Sequence, residues 1–400
     1  MSAALHVALV AGEESGDRLG AALIAALKEA TQGAVRVSGI GGAHMAAAGV
    51  ASPFPLGDLA IMGFAAIPAR LPLILRRIRE AADAVVAARP DVLVIIDSPE
   101  FTHRVARRVR ARAPAIPIVD YVCPSVWAWR PGRARTMRAY VDRVLALLPF
   151  EPAAMRRLGG PPTDFVGHPL AEAASRLRPD RDEARRRLSD PPVLLVLPGS
   201  RSGEIRRMAA VFGAAVGQVA ALAGSLEVVV PAVPRLAGLA REAVAAWPVT
   251  ARVVTDPAEK DAAFRTARAA LTKSGTSTLE LAVAGVPMVA AYRVPLIEEA
   301  IARALIKVDT AILANLVLDE KVVPEFLQRD CTPDKLATAL LPLLSDTPQR
   351  RAQAAAFARL DGIMAIGTAV PSARAAALVL AAAGFNQFTP APATGLSGRE

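Results

Sequence analysis

Leu271-Thr272-Lys273-Ser274-Gly275-Thr276-Ser277-Thr278-Leu279-Glu280 reads as the end of a strand, a small-residue turn rich in hydroxyls, and a helix with a glutamate in its first turns. That order of elements suits a nucleoside diphosphate. Backbone N–H groups and the positive end of the helix dipole would face the phosphates, hydroxyls would add donors, and Glu280 would accept from ribose hydroxyls. Ser and Thr are also ordinary N-capping residues, so the stretch reads equally well as a plain capped helix start. A second stretch repeats the theme of strand, glycine-hydroxyl loop and helix: Leu195-Val196-Leu197-Pro198-Gly199-Ser200-Arg201-Ser202-Gly203-Glu204-Ile205. Here Arg201 adds a cation whose planar fork matches phosphate oxygens and does not titrate near neutral pH. A surface arginine beside a helix start is the bland alternative.

Outward from these two turns, apolar runs recur with helical segments between them. Strands are expected at 5–11, 35–40, 92–96, 116–122 and 144–147, then at 193–197, 227–230, 251–255, 269–272 and 288–292. Such alternation implies parallel sheets wrapped on both sides. The predicted fold class is α/β, with two Rossmann-like, doubly wound domains facing across a cleft and the motifs at the carboxyl ends of strands. Four hundred residues exceed the span of one core, and a hydrophobic content of 53% with few aromatics suits helices on parallel sheets.

The expected layout is a first domain over 1–170, a charged, proline-bounded connection at 171–192, and a second domain over 193–345. Helices over 346–384 are expected to pack back on the first domain, and 385–400 to form a disordered polar tail. The uncharged stretch 208–226 is rich in Ala and Gly and contains Gln218, so it reads as a buried helix rather than a membrane span. No basic region precedes an apolar one at the N-terminus, and 5–11 reads as a strand rather than a signal peptide. Cys123 and Cys331 are the only cysteines, too few for a disulfide framework or a zinc site, which points to a reducing cytosol.

The net charge of +10 is unevenly placed: residues 70–143 carry fifteen Arg against seven Asp and Glu, a net +8. A basic face of that size would attract nucleic acid, a phosphorylated substrate or an anionic membrane, or would simply be a solvated surface. Its neighbour favours a membrane. Ala60-Ile61-Met62-Gly63-Phe64-Ala65-Ala66-Ile67-Pro68 runs through Leu71-Pro72-Leu73-Ile74-Leu75 into Arg76-Arg77-Ile78-Arg79, an apolar stretch leading into a basic helix, although plain core is the competing reading.

Further candidates sit at strand ends of the first half. Asp97 directly follows a buried strand, where a carboxylate is costly unless solvated or paired; it reads as a general base or as a helix cap. Gly12-Glu13-Glu14-Ser15-Gly16-Asp17 has neither dinucleotide-fingerprint nor P-loop spacing, and its carboxylates would repel phosphate, so hydroxyl recognition or capping suits it better. Tyr121-Val122-Cys123-Pro124-Ser125-Val126-Trp127-Ala128-Trp129-Arg130 sets aromatics beside arginine, suited to sugars or acyl chains as well as to packing. His168, between Gly167 and Pro169, reads as a cleft residue or part of a hinge, and Asp180-Arg181-Asp182 as a chance copy of a metal-binding pair.

These segments occur in a known order. Residues 11–17, Gly39-Ile40-Gly41-Gly42, Ile61-Met62-Gly63-Phe64, Pro124-Ser125-Val126-Trp127-Ala128-Trp129, Leu148-Pro149-Phe150-Glu151, Phe165-Val166-Gly167-His168-Pro169, Leu197-Pro198-Gly199-Ser200-Arg201 and Ser274 through Glu280 resemble the lipid-A-disaccharide synthase family. The resemblance runs over about residues 5–345 and, more weakly, to 383. It implies a metal-independent, cofactor-free GT-B glycosyltransferase that inverts the anomeric carbon. The substrates would be UDP-2,3-diacylglucosamine and 2,3-diacylglucosamine 1-phosphate, and the products a β(1→6) disaccharide 1-phosphate and UDP. Asp97 would be the general base. Gly199, Ser200, Arg201, Ser274, Gly275, Thr276, Ser277, Thr278 and Glu280 would hold UDP, with positive charge stabilising the leaving group in place of a metal.

By the same resemblance Arg201 and Asn315 would join Asp97 among the catalytic residues, and Glu14, Ser15, Met62, Phe64, Ser125 and Trp127 would lie on the acceptor and lipid side. Ala314 stands where the family commonly has proline, and Cys123 where serine is usual. The implied location is cytoplasmic, peripheral on the anionic inner face of the inner membrane, and a homodimer is left open. Rival readings are another UDP-sugar GT-B enzyme, such as a peptidoglycan transferase or an epimerase, a basic nucleic-acid-binding protein, and a membrane scaffold with an inactive nucleotide fold. A nucleic-acid binder would explain the arginines but not two phosphate-type turns, so no nucleic-acid partner is expected.

Overall fold

Leu5–Ala11 is buried at all seven positions and forms β1, the unbroken apolar run expected of a parallel strand covered on both faces. The computed structural model describes residues 4–59, 67–295, 308–367 and 369–385, without the side chains of 67–69. Two compact units emerge, one from Met1–Pro169 plus the chain from Ile366, the other from Leu170–Ala365.

In the first unit β1 is joined by β2 (Val35–Ile40), β3 (Val92–Ile96), β4 (Ile118–Tyr121), β5 (Arg143–Ala146) and β6 (Thr163–Phe165). All pairings are parallel, in the order β2-β1-β3-β4-β5-β6. The connecting helices are α1 (Glu14–Ala30), α2 (Ala43–Ala47), α3 (Ile67–Ala88), α4 (Pro99–Arg112), α5 (Gly132–Met137) and α6 (Glu151–Arg157). Alternate residues of each strand feed two cores: Ala8, Val10 and Ile95 pack with Ile78 and Val105, while Val7, Leu9 and Val94 pack with Leu23, Leu27 and Val379. Gly39 has φ +136, and a Cβ there would lie 1.8 Å from the Leu9 carbonyl oxygen, so only glycine lets β2 approach β1.

The second unit begins with α7 (Pro169–Leu177) and α8 (Arg181–Leu188). It continues through β7 (Val193–Leu197), α9 (Ser202–Ala223), β8 (Glu227–Pro231), α10 (Ala237–Ala245), β9 (Ala251–Val254), α11 (Pro257–Thr266), β10 (Ala269–Lys273), α12 (Ser277–Val283), β11 (Met288–Tyr292) and β12 (Glu325–Leu327). Its parallel sheet has the order β12-β11-β10-β7-β8-β9. Among the described helices α9 alone is long and apolar enough to cross a membrane. It is a core helix instead, with Ile205, Met208, Phe212, Val216 and Val219 buried against the sheet.

Two sequence expectations change. Residues 171–192 carry most of α7 and all of α8 and belong to the second unit, where Asp180 and Glu183 close a capping box that starts α8 and Arg187 is buried. The same cap accounts for Asp180-Arg181-Asp182. The helical stretch 346–384 divides: Pro348–Ala358 and Leu360–Ile363 lie in the second unit, where Gln353 exchanges hydrogen bonds with the Met288 backbone. Only Pro371–Ala382 packs on α1, through Ala375, Ala376, Val379 and Leu380. Met62, Phe64 and the tail from 386 lie outside the described residues.

Candidate functional site

Both sheets reverse their strand order once, between β1 and β3 in the first unit and between β7 and β10 in the second. Flanking crossovers leave for opposite faces at such a point, which opens a crevice at the carboxyl ends of the strands. The loops found there are the ones singled out by sequence: Gly12–Ser15, Asp97–Ser98, Pro198–Arg201 and Ser274–Thr276.

In the first unit Asp97 Oδ2 accepts from the Ser15 hydroxyl at 2.7 Å, and Oδ1 from the Ser98 N–H at 2.7 Å. The backbone bends sharply to present this carboxylate. Asp97 (φ +53) and Ser98 (φ +50) are both left-handed, at on the order of 1–2 kcal/mol per residue. A cavity of about 230 Å³ adjoins, lined by Asp97, His103, Asp120, Val122, Ser125, Trp129 and Arg133 among others. Val122 has φ +94, an outlying conformation for a β-branched residue, so backbone strain is concentrated around one cavity that carries charged side chains. Beneath it His103 Nε2 lies 3.0 Å from Asp120 Oδ2, and His103 Nδ1 lies 3.1 Å from the Tyr140 hydroxyl. Burial raises the Asp120 carboxyl above the usual carboxylate range, against the opposing pull of His103.

The other expected acceptor-side residues are more dispersed. Ser125 is exposed at the cavity, and Glu14 is exposed and ion-paired with Arg18. Asp17 is buried and accepts from the N–H groups of Gly42, His44 and Met45, which makes it a loop anchor. Trp127 gives its indole N–H to buried Glu151 at 3.1 Å and meets the Phe150 ring edge-on at 5.0 Å, so its main contacts fix the loop. His168 is half-buried, and desolvation lowers its imidazole to about 4.

Burial pushes the Glu151 carboxyl up to about 7, although the N–H groups of Leu148 and Trp127 oppose the shift. Such a group binds a proton on folding between its unfolded and folded values. Its stabilisation is complete below about pH 4.5 and is lost as pH rises to about 7. Glu151→Gln, which cannot ionise, is expected to gain up to about 3 kcal/mol on the wild type between pH 4.5 and 7.5 in urea unfolding. A gap that does not change with pH would contradict this.

The second unit corrects one expectation. Glu204 is buried, and its Oε2 accepts the Ser200 N–H at 3.0 Å and the Arg201 N–H at 3.2 Å. Those two donors, expected to face phosphate, are thus engaged internally. A Cβ on Gly199 (φ +138) would lie 2.4 Å from the Glu204 Cβ, so glycine is what allows the carboxylate to tuck under the loop. Arg201 keeps a side chain 75% exposed, 3.8 Å from Glu204 Oε1. In the other turn Thr278 is buried and donates to the Gly275 carbonyl at 2.7 Å, while Thr276 is exposed and Ser277 half-buried. Glu280 lies 3.5 Å from Lys260 Nζ.

Asn315, expected among the catalytic residues, is committed to the backbone. Its amide donates to the Val323 carbonyl at 3.0 Å and accepts the N–H groups of Val322 and Val323. Its link to the turn is indirect. Ser274 and Thr310 donate to the two oxygens of Glu325 at 3.2 and 3.0 Å, and Asn315 Nδ2 lies 3.4 Å from the Thr310 hydroxyl. Among these contacts Asn315 reaches the turn only through Thr310 and Glu325, and buried Ala314 packs where the family's proline was expected. Sequence reading missed Lys273, Glu204, Glu325 and the His103–Asp120 pair. Lys273 had a signal, a cation closing a strand directly before a phosphate-type turn.

A family model described as lipid-A-disaccharide synthetase matches residues 7–366. The lipid-A-disaccharide synthase of Nitrobacter hamburgensis is 60% identical over 375 residues, covering 94% of this chain and 95% of its own length. That of Rhodospirillum centenum is 45% identical over 379 residues, with 94% of each covered. Among solved structures, the S. aureus MnaA–UDP co-structure has a TM-score of 0.65 at 12% identity, covering 96% of this chain and 99% of that one. The calicheamicin glycosyltransferase CalG4 has 0.57 at 17% identity, with 96% and 99% covered. At such identities the likeness is one of fold, shared by epimerases and glycosyltransferases, so the choice between those rivals rests on the sequence relatives. A match over nearly the whole chain, at identities well beyond those of the fold neighbours, shows that this chain belongs to the lipid-A-disaccharide synthase family.

Proposed function

We propose that this glycosyltransferase moves 2,3-diacylglucosamine from UDP-2,3-diacylglucosamine to the 6-hydroxyl of 2,3-diacylglucosamine 1-phosphate. Asp97 takes the proton of that hydroxyl, the freed oxygen attacks the anomeric carbon from the face opposite the diphosphate, and UDP departs as the β(1→6) bond forms. The observation that carries this reading is the Asp97 carboxylate at the β1/β3 reversal, oriented by Ser15 and the Ser98 N–H beside a cavity of about 230 Å³. On the donor side Arg201 and the Ser274–Thr278 turn hold the diphosphate and Glu280 the ribose, with cationic charge stabilising the departing UDP. Mass spectrometry of lipids after incubation with both substrates and EDTA tests this. Disaccharide 1-phosphate matched by UDP is expected; no product with both substrates bound would overturn it.

The segment from Met62 to Arg79 supplies peripheral attachment to the anionic cytoplasmic face of the inner membrane. Its described part supports this, since Leu71 is 41% exposed on the same helix as exposed Arg76 and Arg79. Replacing Phe64, Leu71 and Leu73 by serine is expected to lower binding to phosphatidylglycerol-containing liposomes several-fold without loss of helicity. Equal sedimentation of the folded variant would remove the segment as the anchor.

A further inference from the structure

Lys273 ends β10 and stands at the junction of the two glycine turns of the second unit. Its ammonium lies 3.0 Å from Glu204 Oε1, under the Pro198–Arg201 loop, and 4.7 Å from the centre of the Tyr292 ring. On another side it faces Gly275: a Cβ built there would come within 3.3 Å of Nζ, and φ at that glycine is +156. Any side chain at 275 would crowd the ammonium from the direction of the turn. The lysine side chain is 20% exposed, whereas Glu204 beneath it is only 4% exposed.

The electrostatics give this arrangement a direction. Burial alone would raise the Glu204 carboxyl, but Lys273, with help from the Ser200 N–H, holds it below the usual range and therefore ionised. A buried anion directly behind a phosphate-type loop would repel a diphosphate unless a cation stood with it. The same carboxylate also occupies the Ser200 and Arg201 N–H groups, so the loop has fewer donors for a ligand than its sequence suggests. An ammonium has three donors in a tetrahedral array, and a single carboxylate oxygen takes one of them. We propose that Lys273 is a further binding residue for the donor's diphosphate, reaching it past the bare Cα of Gly275, and that Glu204 is the carboxylate that positions it. This deepens, and rests on, the reading of the second unit as the UDP-sugar side.

Calorimetric titration of the full-length protein with UDP and with uridine, at low and moderate salt, tests it. Lys273→Met is expected to weaken UDP on the order of tenfold to a hundredfold, the effect of losing one charge-assisted contact, and to flatten the salt dependence. Uridine affinity should stay within about twofold, whereas Glu280→Gln should weaken UDP and uridine alike. Because Lys273→Met also removes the closest cation from buried Glu204, the double variant Lys273→Met/Glu204→Gln separates binding from support. Persistent weak UDP binding in the double variant supports a direct contact. Recovery to the wild-type UDP affinity, or a single variant that binds UDP as the wild type does, overturns it while leaving the donor reading intact. A wild type that binds neither ligand overturns the donor reading and this inference together.

Discussion

Asp97→Asn is expected to lower turnover by roughly 10²–10⁴-fold, the usual contribution of a general base, while UDP affinity changes less than about twofold. The substitution keeps the shape of the side chain. An asparagine oxygen still accepts the Ser98 N–H, and its NH2 group donates to Ser15 where the carboxylate accepted from it, so the left-handed Asp97–Ser98 turn is retained. What disappears is basicity. A loss confined to kcat, with unchanged UDP binding and unfolding profile, is the signature of a group that acts in the chemical step. Turnover within about threefold of the wild type would remove Asp97 as the base. It would then direct attention to Asp120 and His103, the other ionisable pair lining the same cavity.

Asp97 was legible because five fully buried residues, Val92–Ile96, lead directly to it. A carboxylate in that position must be solvated, capped or used, and the strand order then put it at a reversal. The two turns of the second unit were legible for the same reason, since their glycines follow buried strands. Their internal wiring was not. Glu204 in the first turn of α9 looks like an ordinary acidic helix start, and nothing local says that Gly199 leaves room for its carboxylate to bend back onto the loop. His103 was hidden by the arginines around it on α4, which make that helix read as a solvated surface. β6 and β12 escaped notice because each is a three-residue edge strand without a fully buried residue. The largest misreading was the connection at 171–192, where a capping box starts α8 and one buried side chain ties it down.

Arg187→Met is expected to destabilise the second unit by about 3–5 kcal/mol, because it strands several buried carbonyl groups at once. In sequence Arg187 ends a run of three arginines and looks solvated; in the fold it is only 9% exposed. Its guanidinium donates to the carbonyls of Phe264 and Arg265, in the last turn of α11, and of Ala284 and Gly285, just past the end of α12, at 2.9–3.2 Å, where no intrahelical N–H follows to satisfy them. A cation there also complements the negative ends of both helix dipoles. Burial, aided by Arg350, lowers this guanidinium only to about 10, so it remains charged near neutral pH. Arg187→Lys is expected to recover less than half of the loss, since one ammonium cannot span carbonyls on two helices as a planar fork does. Urea unfolding, with hydrogen exchange on peptides covering α11 and α12, measures both. A loss below about 1 kcal/mol for Arg187→Met would mean that water replaces the fork. α8 would then be a covering helix rather than the clamp between the helix that carries Lys260 and the helix that carries Glu280.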